Sequence, residues 1–193
     1  MHTNYLFLIL CLFSGCSLPE PSKKLTEEEI FKKERDQRIY SALRKFKHAM
    51  EKKGYRAAGL GEGIDHATGK QNYLGITFDI ERLPNIEFAR KIEVEALQEF
   101  LNYINSEEGI QDYIAEYPYP LKFVHVAFVS RHRSEGLFSV ANFREEIYYD
   151  QDEPDKPMGP SIEIHSESYQ DAIQILEREQ SCPVDSVILP YAR

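Results

Sequence analysis

The stretch LKFVHVAFVS, Leu121 to Ser130, decides the fold. Phe123, Val124, Val126, Ala127, Phe128 and Val129 place apolar and β-branched side chains on both faces of an extended segment. Such a run predicts a central strand covered on both sides. Upstream, Asn85 is suited to cap a helix whose inward stripe is Ala89, Ile92, Ala96, Leu97, Phe100, Leu101 and Ile104. Ser106 then reads as the cap of a short helix carrying Ile110, Tyr113, Ile114 and Tyr117, ended by Pro118 and Pro120. Downstream, segments 137–141 and 146–149 form a hairpin about Asn142-Phe143-Arg144-Glu145. An acidic loop, 150–160, leads to a short strand at 161–165 and a helix from Ser168 to Gln180 with Tyr169, Ala172, Ile173 and Leu176 inward.

Toward the N-terminus, Leu74, Ile76, Phe78 and Ile80 alternate with Tyr73, Gly75, Thr77 and Asp79, the mark of a strand with one buried face. A glycine-rich strand, Tyr55 to Ile64, precedes it across the turn 66–70. Before that, Thr26-Glu27-Glu28-Glu29 reads as a capping box. It opens a helix to about Lys53 whose stripe is Ile39, Leu43, Phe46 and Met50, with Gly54 placed to end it. The wholly polar run from Lys32 to Arg38 is expected to project into solvent or to belong to the tether. Strands arrive in antiparallel groups with helices inserted, without regular βαβ alternation. The expected class is α+β: a mostly antiparallel sheet of about five or six strands packed by three or four helices. Residues 26–193 form one domain.

The chain of 193 residues, 42% hydrophobic and 28% charged, buries enough surface to fold without a disulfide or a metal. Its 32 acidic residues outnumber 23 basic ones, and the net charge of -9 opposes nucleic-acid binding. The local cluster Arg44, Lys45, Lys47, Lys52 and Lys53 lies on a helix rich in both signs and reads as a solvated face.

Tyr5 to Phe13 is an apolar run of about nine residues, too short to span a bilayer, which takes about 20. Its length suits the h-region of a secretory signal. Small Ser14 and Gly15 follow, then Cys16. Leu12-Phe13-Ser14-Gly15-Cys16 resembles the lipobox of bacterial lipoprotein signal peptides. Phe13 stands where that family usually has Leu, and Met1 to Asn4 lack the usual Lys or Arg. The resemblance implies cleavage before Cys16, acylation of its thiol, and a membrane as partner through those acyl chains. Residues 1–15 are then the signal peptide and 16–25 the lipidated cysteine with its tether. Two or three acyl chains hold stably, at about 0.8 kcal/mol per buried methylene. The Pro19- and Pro21-bearing tether reads as stiff and extended, lifting the domain by roughly 25 Å at about 3.3 Å per residue. Ser17 rather than Asp follows the cysteine, which in such lipoproteins implies the outer membrane over the inner. A plain secretory signal and a buried apolar N-terminus are the alternatives. Cysteine use favours the lipoprotein, since Cys11 leaves with the signal and acylation occupies Cys16, leaving Cys182 alone.

Candidate chemistry in the domain is sparse. Gly59-Leu60-Gly61-Glu62-Gly63 lacks the spacing and following helix of a dinucleotide loop, and reads as a strand approached closely. Asp150, Asp152, Glu153 and Asp155 lack the EF-hand glycine and terminal glutamate and read as a solvated acidic loop. His125, His132 and His165 show no zinc-ligand spacing. Ser166 or Ser168, next to His165, is expected as a helix cap rather than a nucleophile. Among Glu93, Glu95, Glu99, Glu107 and Glu108 no pair is singled out. Tyr117, Tyr119, Tyr148, Tyr149 and Tyr191 sit near loops or strand ends, where tyrosine serves interfaces or half-buried packing. Residues 85–119, through Glu87-Phe88-Ala89-Arg90, Phe100-Leu101-Asn102-Tyr103-Ile104-Asn105 and Glu116-Tyr117-Pro118, also look similar to uncharacterised lipoproteins of chlamydia-like bacteria, a likeness that implies no activity. No catalytic, cofactor-binding or metal residue is assigned, and no cofactor is implied. The expectation is an anchored envelope protein with a binding or structural role, its partner an envelope protein or a glycan. The alternative is an envelope hydrolase with residues dispersed in the sequence.

Overall fold

The computed structural model describes residues 24–132, 136–152 and 161–181. Within them the elements run α1 (Glu27–Lys52), β1 (Arg56–Ile64), β2 (Gln71–Ile80), α2 (Ile86–Asn105), β3 (Val124–Ser130), β4 (Ser139–Phe143), β5 (Glu146–Asp152), β6 (Ser161–Ser168) and α3 (Tyr169–Ser181). The six strands form one sheet in sequential order, β1 to β6. Only β2 and β3 pair in parallel, across the α2 crossover. The remaining neighbours are antiparallel. The fold is α+β, as the sequence predicts.

Register explains the core. Leu74, Ile76 and Phe78 lie level with Val124, Val126 and Phe128, and Phe128 faces Val140, which faces Tyr149. These side chains are buried with the stripes of all three helices in one cluster. Phe46 sits at its centre, edge-on to Phe78 and Phe100 at ring separations of 5.7 and 5.0 Å.

Several local expectations change. The run from Leu121 begins as a 3-10 turn, Leu121–Phe123, and β3 starts only at Val124. β3 is central but covered by helices on one face only: Val124, Val126 and Phe128 are buried, while His125 and Val129 opposite are half-buried. Small Ala127 shelters among its neighbours without a second layer. The helix expected after Ser106 is absent. Ser106 terminates α2, Gly109 adopts φ +69°, and only a 3-10 turn, Ile110–Asp112, follows. Ile114 then bridges Gln71 as extended chain, so the helical spacing of Ile110 and Ile114 reflects two separate anchors. Finally, the polar first half of α1 docks rather than projecting. Arg35 is buried and donates to the Gly69 carbonyl at 2.8 Å, and Phe31 packs on Tyr113 at 5.1 Å. The capping box at Thr26 and Glu29 forms as read.

Past the end of β3, Leu137 bridges Leu83. Gly136 precedes it at φ +135°, and an added Cβ would lie 2.2 Å from the Leu83 carbonyl oxygen. Gly136→Ala is therefore expected to lower stability by about 1–3 kcal/mol. A urea melt with an unshifted midpoint would contradict this placement. Among the described residues no helix is long and apolar enough to cross a membrane.

Candidate binding cleft and a buried polar clamp

Packing the helices on one side leaves the other face of the sheet open. Alternation puts Tyr73, His125, Ala141 and Tyr148 there. Tyr73 lies over glycine: a Cβ on Gly61 would approach its ring at 3.4 Å, and one on Gly75 its hydroxyl at 3.0 Å. This close approach is what the glycine-rich segment provides. It is a bulged strand, with a register shift between Ala57 and Gly59. Tyr73 stacks beside His125, ring centroids 6.4 Å apart.

Asn142 organises the next strand junction. It is fully buried; its side-chain oxygen accepts from the Val126 amide at 2.6 Å and its nitrogen donates to the Val124 carbonyl at 2.7 Å. The side chain thus extends the β3–β4 ladder past Ala127 and Ala141. Its own carbonyl accepts from His125 Nδ1 at 2.6 Å, which places the imidazole proton on that nitrogen. Asn142→Ala strands a buried amide and carbonyl and is expected to cost about 1–3 kcal/mol. Faster hydrogen exchange at the Val126 amide would accompany the loss, and an unchanged rate there would contradict it.

At the end of the sheet where β2 and β3 begin, a half-open cleft of about 270 Å³ is lined by Asn72, Tyr73, Lys122, Phe123, Phe143 and Arg144. Three local devices build it. The 3-10 turn Leu121–Phe123, begun at Pro120, presents Lys122 and Phe123. Behind it the Tyr119 amide donates to Asn105 Oδ1 at 2.6 Å and the Tyr119 ring is buried, which anchors the segment to α2. The β4–β5 hairpin closes with Arg144 and Glu145 at φ 50° and 74°. Both cations lie over aromatic rings: Lys122 4.9 Å from the Phe123 centroid and Arg144 5.2 Å from that of Phe143. Lys122 also pairs with Glu116 at 2.6 Å. A second depression of about 260 Å³ lies on the other flank of Arg144, beside Glu145, Glu146, Ser168 and Tyr169.

A separate polar cluster lies beneath the sheet. Glu167 of β6 accepts from Arg90 of α2 at 2.7 Å and from the Tyr149 hydroxyl of β5, all within the packed interior. Burial, then the adjacent Glu167 carboxylate, push the Tyr149 hydroxyl far above its ordinary range. His165 stands 3.8 Å from Glu167 with its ring 5.4 Å from that of Tyr149. Nearby Glu93 of α2 is completely buried, and neither carboxyl oxygen makes a well-formed hydrogen bond. Burial, partly offset by the Asn142 backbone, holds its carboxyl well above the usual carboxylate range. With Arg90 and Tyr149 sharing one oxygen of Glu167, the arrangement clamps α2 to β5 and β6.

The residues weighed from sequence do not converge. His125 is on β3, His165 three strands away on β6, and His132 beyond β3, where it meets Glu81 at 2.8 Å. Among the described residues no group of three His, Cys, Asp or Glu side chains is placed to hold a metal ion. Ser166 projects from the opposite face of β6 to His165. Ser168 caps α3, its hydroxyl accepting from the Asp171 amide at 3.1 Å. Asp150 and Asp152 belong to β5, and Asp150 accepts from Ser139 at 2.9 Å. In the basic cluster on and just after α1, Lys45 pairs with Glu107 and Lys53 with Glu99, each at 2.6 Å, and Lys47 with Glu51 at 3.0 Å, while Phe46 is core. Tyr117 is exposed, but Tyr119 and Tyr149 are buried and serve packing instead of an interface. Cys11, Cys16, Glu153, Asp155, Cys182 and Tyr191 lie outside the described residues.

No family model, curated protein or solved structure matches the chain.

Arg35, Arg90, Glu93 and Glu167 escape a reading that sends charge to solvent, and Asn142, read as part of the hairpin turn, belongs to β4 instead. A signal existed for Glu93: it stands four residues from both Ala89 and Leu97, inside the apolar stripe.

Proposed function

We propose that this chain is an envelope lipoprotein, held at a membrane by acyl groups on Cys16, whose α+β domain acts as a binding module rather than an enzyme. The anchor rests on Leu12 to Cys16. It is supported by the polar composition that follows Cys16, with Pro19 and Pro21, ahead of the capping box that opens α1 at Thr26. The binding role rests on one observation. The open end of the sheet offers a shallow cleft lined by aromatic rings, an amide and two cations. A hydrolase needs a nucleophile or activated water beside a base. His165 instead packs on Tyr149, with Ser166 turned the other way.

Fractionation of cells expressing wild type and Cys16→Ala tests the anchor. Wild type is expected in the membrane with incorporated lipid label, and the variant in the soluble fraction without it. Membrane association and labelling that survive the substitution refute the assignment.

A further inference from the structure

We propose that the cleft beside Arg144 binds a single sugar ring carrying a carboxylate, a ligand class that refines the binding role above and rests on it. Size sets the first limit. About 270 Å³ lies just under the usual range for small-molecule sites, roughly 300–1,000 Å³, and suits one six-membered ring.

Charge sets the second. The chain carries a net charge of -9, yet this cleft is lined by Lys122 and Arg144 and by no carboxylate. Lys122 is engaged by Glu116, whereas Arg144 has no ion pair among the described residues. A guanidinium presents a planar fork that matches a carboxylate with two parallel hydrogen bonds. Glu145 and Glu146 lie on the other flank of the turn. Their repulsion weighs more on a dianionic phosphate than on a monoanion, so the carboxylate is the better fit.

The rest of the lining selects a ring with hydroxyls. Phe143 is half exposed and Tyr73 lines the cleft close against Gly61 and Gly75, so the two rings offer apolar surface to the C–H side of a sugar. The Asn72 amide supplies both a donor and an acceptor.

Backbone conformation gives an independent reason. A two-residue hairpin turn with positive φ at both positions favours Asn-Gly, yet Arg144 and Glu145 occupy it. Strained backbone of this kind clusters at ligand clamps and other functional sites.

The test is titration of the full chain, followed by NMR or calorimetry, with D-glucuronate, D-glucose, acetate and an aspartyl dipeptide. Glucuronate is expected to saturate at millimolar concentration, with each other probe at least about tenfold weaker. Arg144→Asn should weaken glucuronate by at least about tenfold while the thermal midpoint holds or rises, because Asn suits the turn. Phe143→Ser, at an exposed position, should also weaken it, which keeps the idea testable if the first variant fails to fold. Lack of saturation by glucuronate, equal binding of acetate or the dipeptide, or full affinity in either folded variant overturns the proposal. Failure here alongside Cys16-dependent membrane association removes the ligand class and leaves the anchored module standing.

Discussion

Arg90→Met is expected to lower the free energy of unfolding by about 3–5 kcal/mol, the usual consequence of removing one partner from a buried ion pair. The side chains of Arg90 and Glu167 are only 8% and 6% exposed, so water cannot take over from the missing guanidinium. Glu167 would keep one donor, the Tyr149 hydroxyl. For a chain of this size the loss corresponds to a fall in Tm of roughly 6–20 °C. The double variant Arg90→Met, Glu167→Met separates charge from packing. With both ionic partners gone no charge is stranded and only the Tyr149 hydroxyl loses its acceptor, so stability should return to within about 1–3 kcal/mol of wild type. A single variant as stable as wild type, or a double variant worse than the single, would show that the pair does not tie α2 to the sheet as described.

That pair also shows where sequence reading stops. Periodicity locates an element and its buried face when the inward positions are apolar. So the stripes of α1 and α2, the alternation in β2 and the hairpin between β4 and β5 are legible from Ile39, Phe100, Phe78 and their neighbours. The same rule sends every charged position outward. It misplaces Arg35, whose guanidinium caps a carbonyl in the β1–β2 turn, and Arg90, whose partner is 77 residues away. Partners so distant are set by tertiary register, and no local pattern carries that information.

The cleft is hidden for the same reason. Tyr73, Phe123 and Arg144 belong to three separate segments. What joins the first two is the parallel register of Leu74 with Val124, and what adds the third is the β3–β4 pairing. A helix of twenty residues between β2 and β3 is compatible with either strand direction, so neither pairing follows from composition. The turn leaves only a faint mark, an Arg-Glu pair where glycine or asparagine would be easy.

Glu93→Met is expected to stabilise the protein by about 2–4 kcal/mol at neutral pH, because it replaces a buried carboxyl that lacks a well-formed hydrogen bond with an apolar side chain of similar size. The sign of the pH dependence follows from the direction of the shift. Burial raises the Glu93 carboxyl well above its ordinary value of 4.5, so the folded protein keeps this proton at pH values where the unfolded chain has lost it. Below about 4.5 both states are protonated and only the missing hydrogen bonds count against Glu93. Above it the folded state holds the extra proton, and stability falls as pH rises, at up to about 1.4 kcal/mol per unit, until the folded group itself ionises. This is opposite in sign to a paired surface carboxylate. Urea melts of wild type and Glu93→Met at pH 4, 5.5 and 7 should therefore show a gap that widens with pH, other titrating groups cancelling in the difference. A constant gap would mean that Glu93 is ionised in the fold and has found a counter-charge. A variant less stable than wild type would mean that the carboxyl makes a bond worth more than its burial.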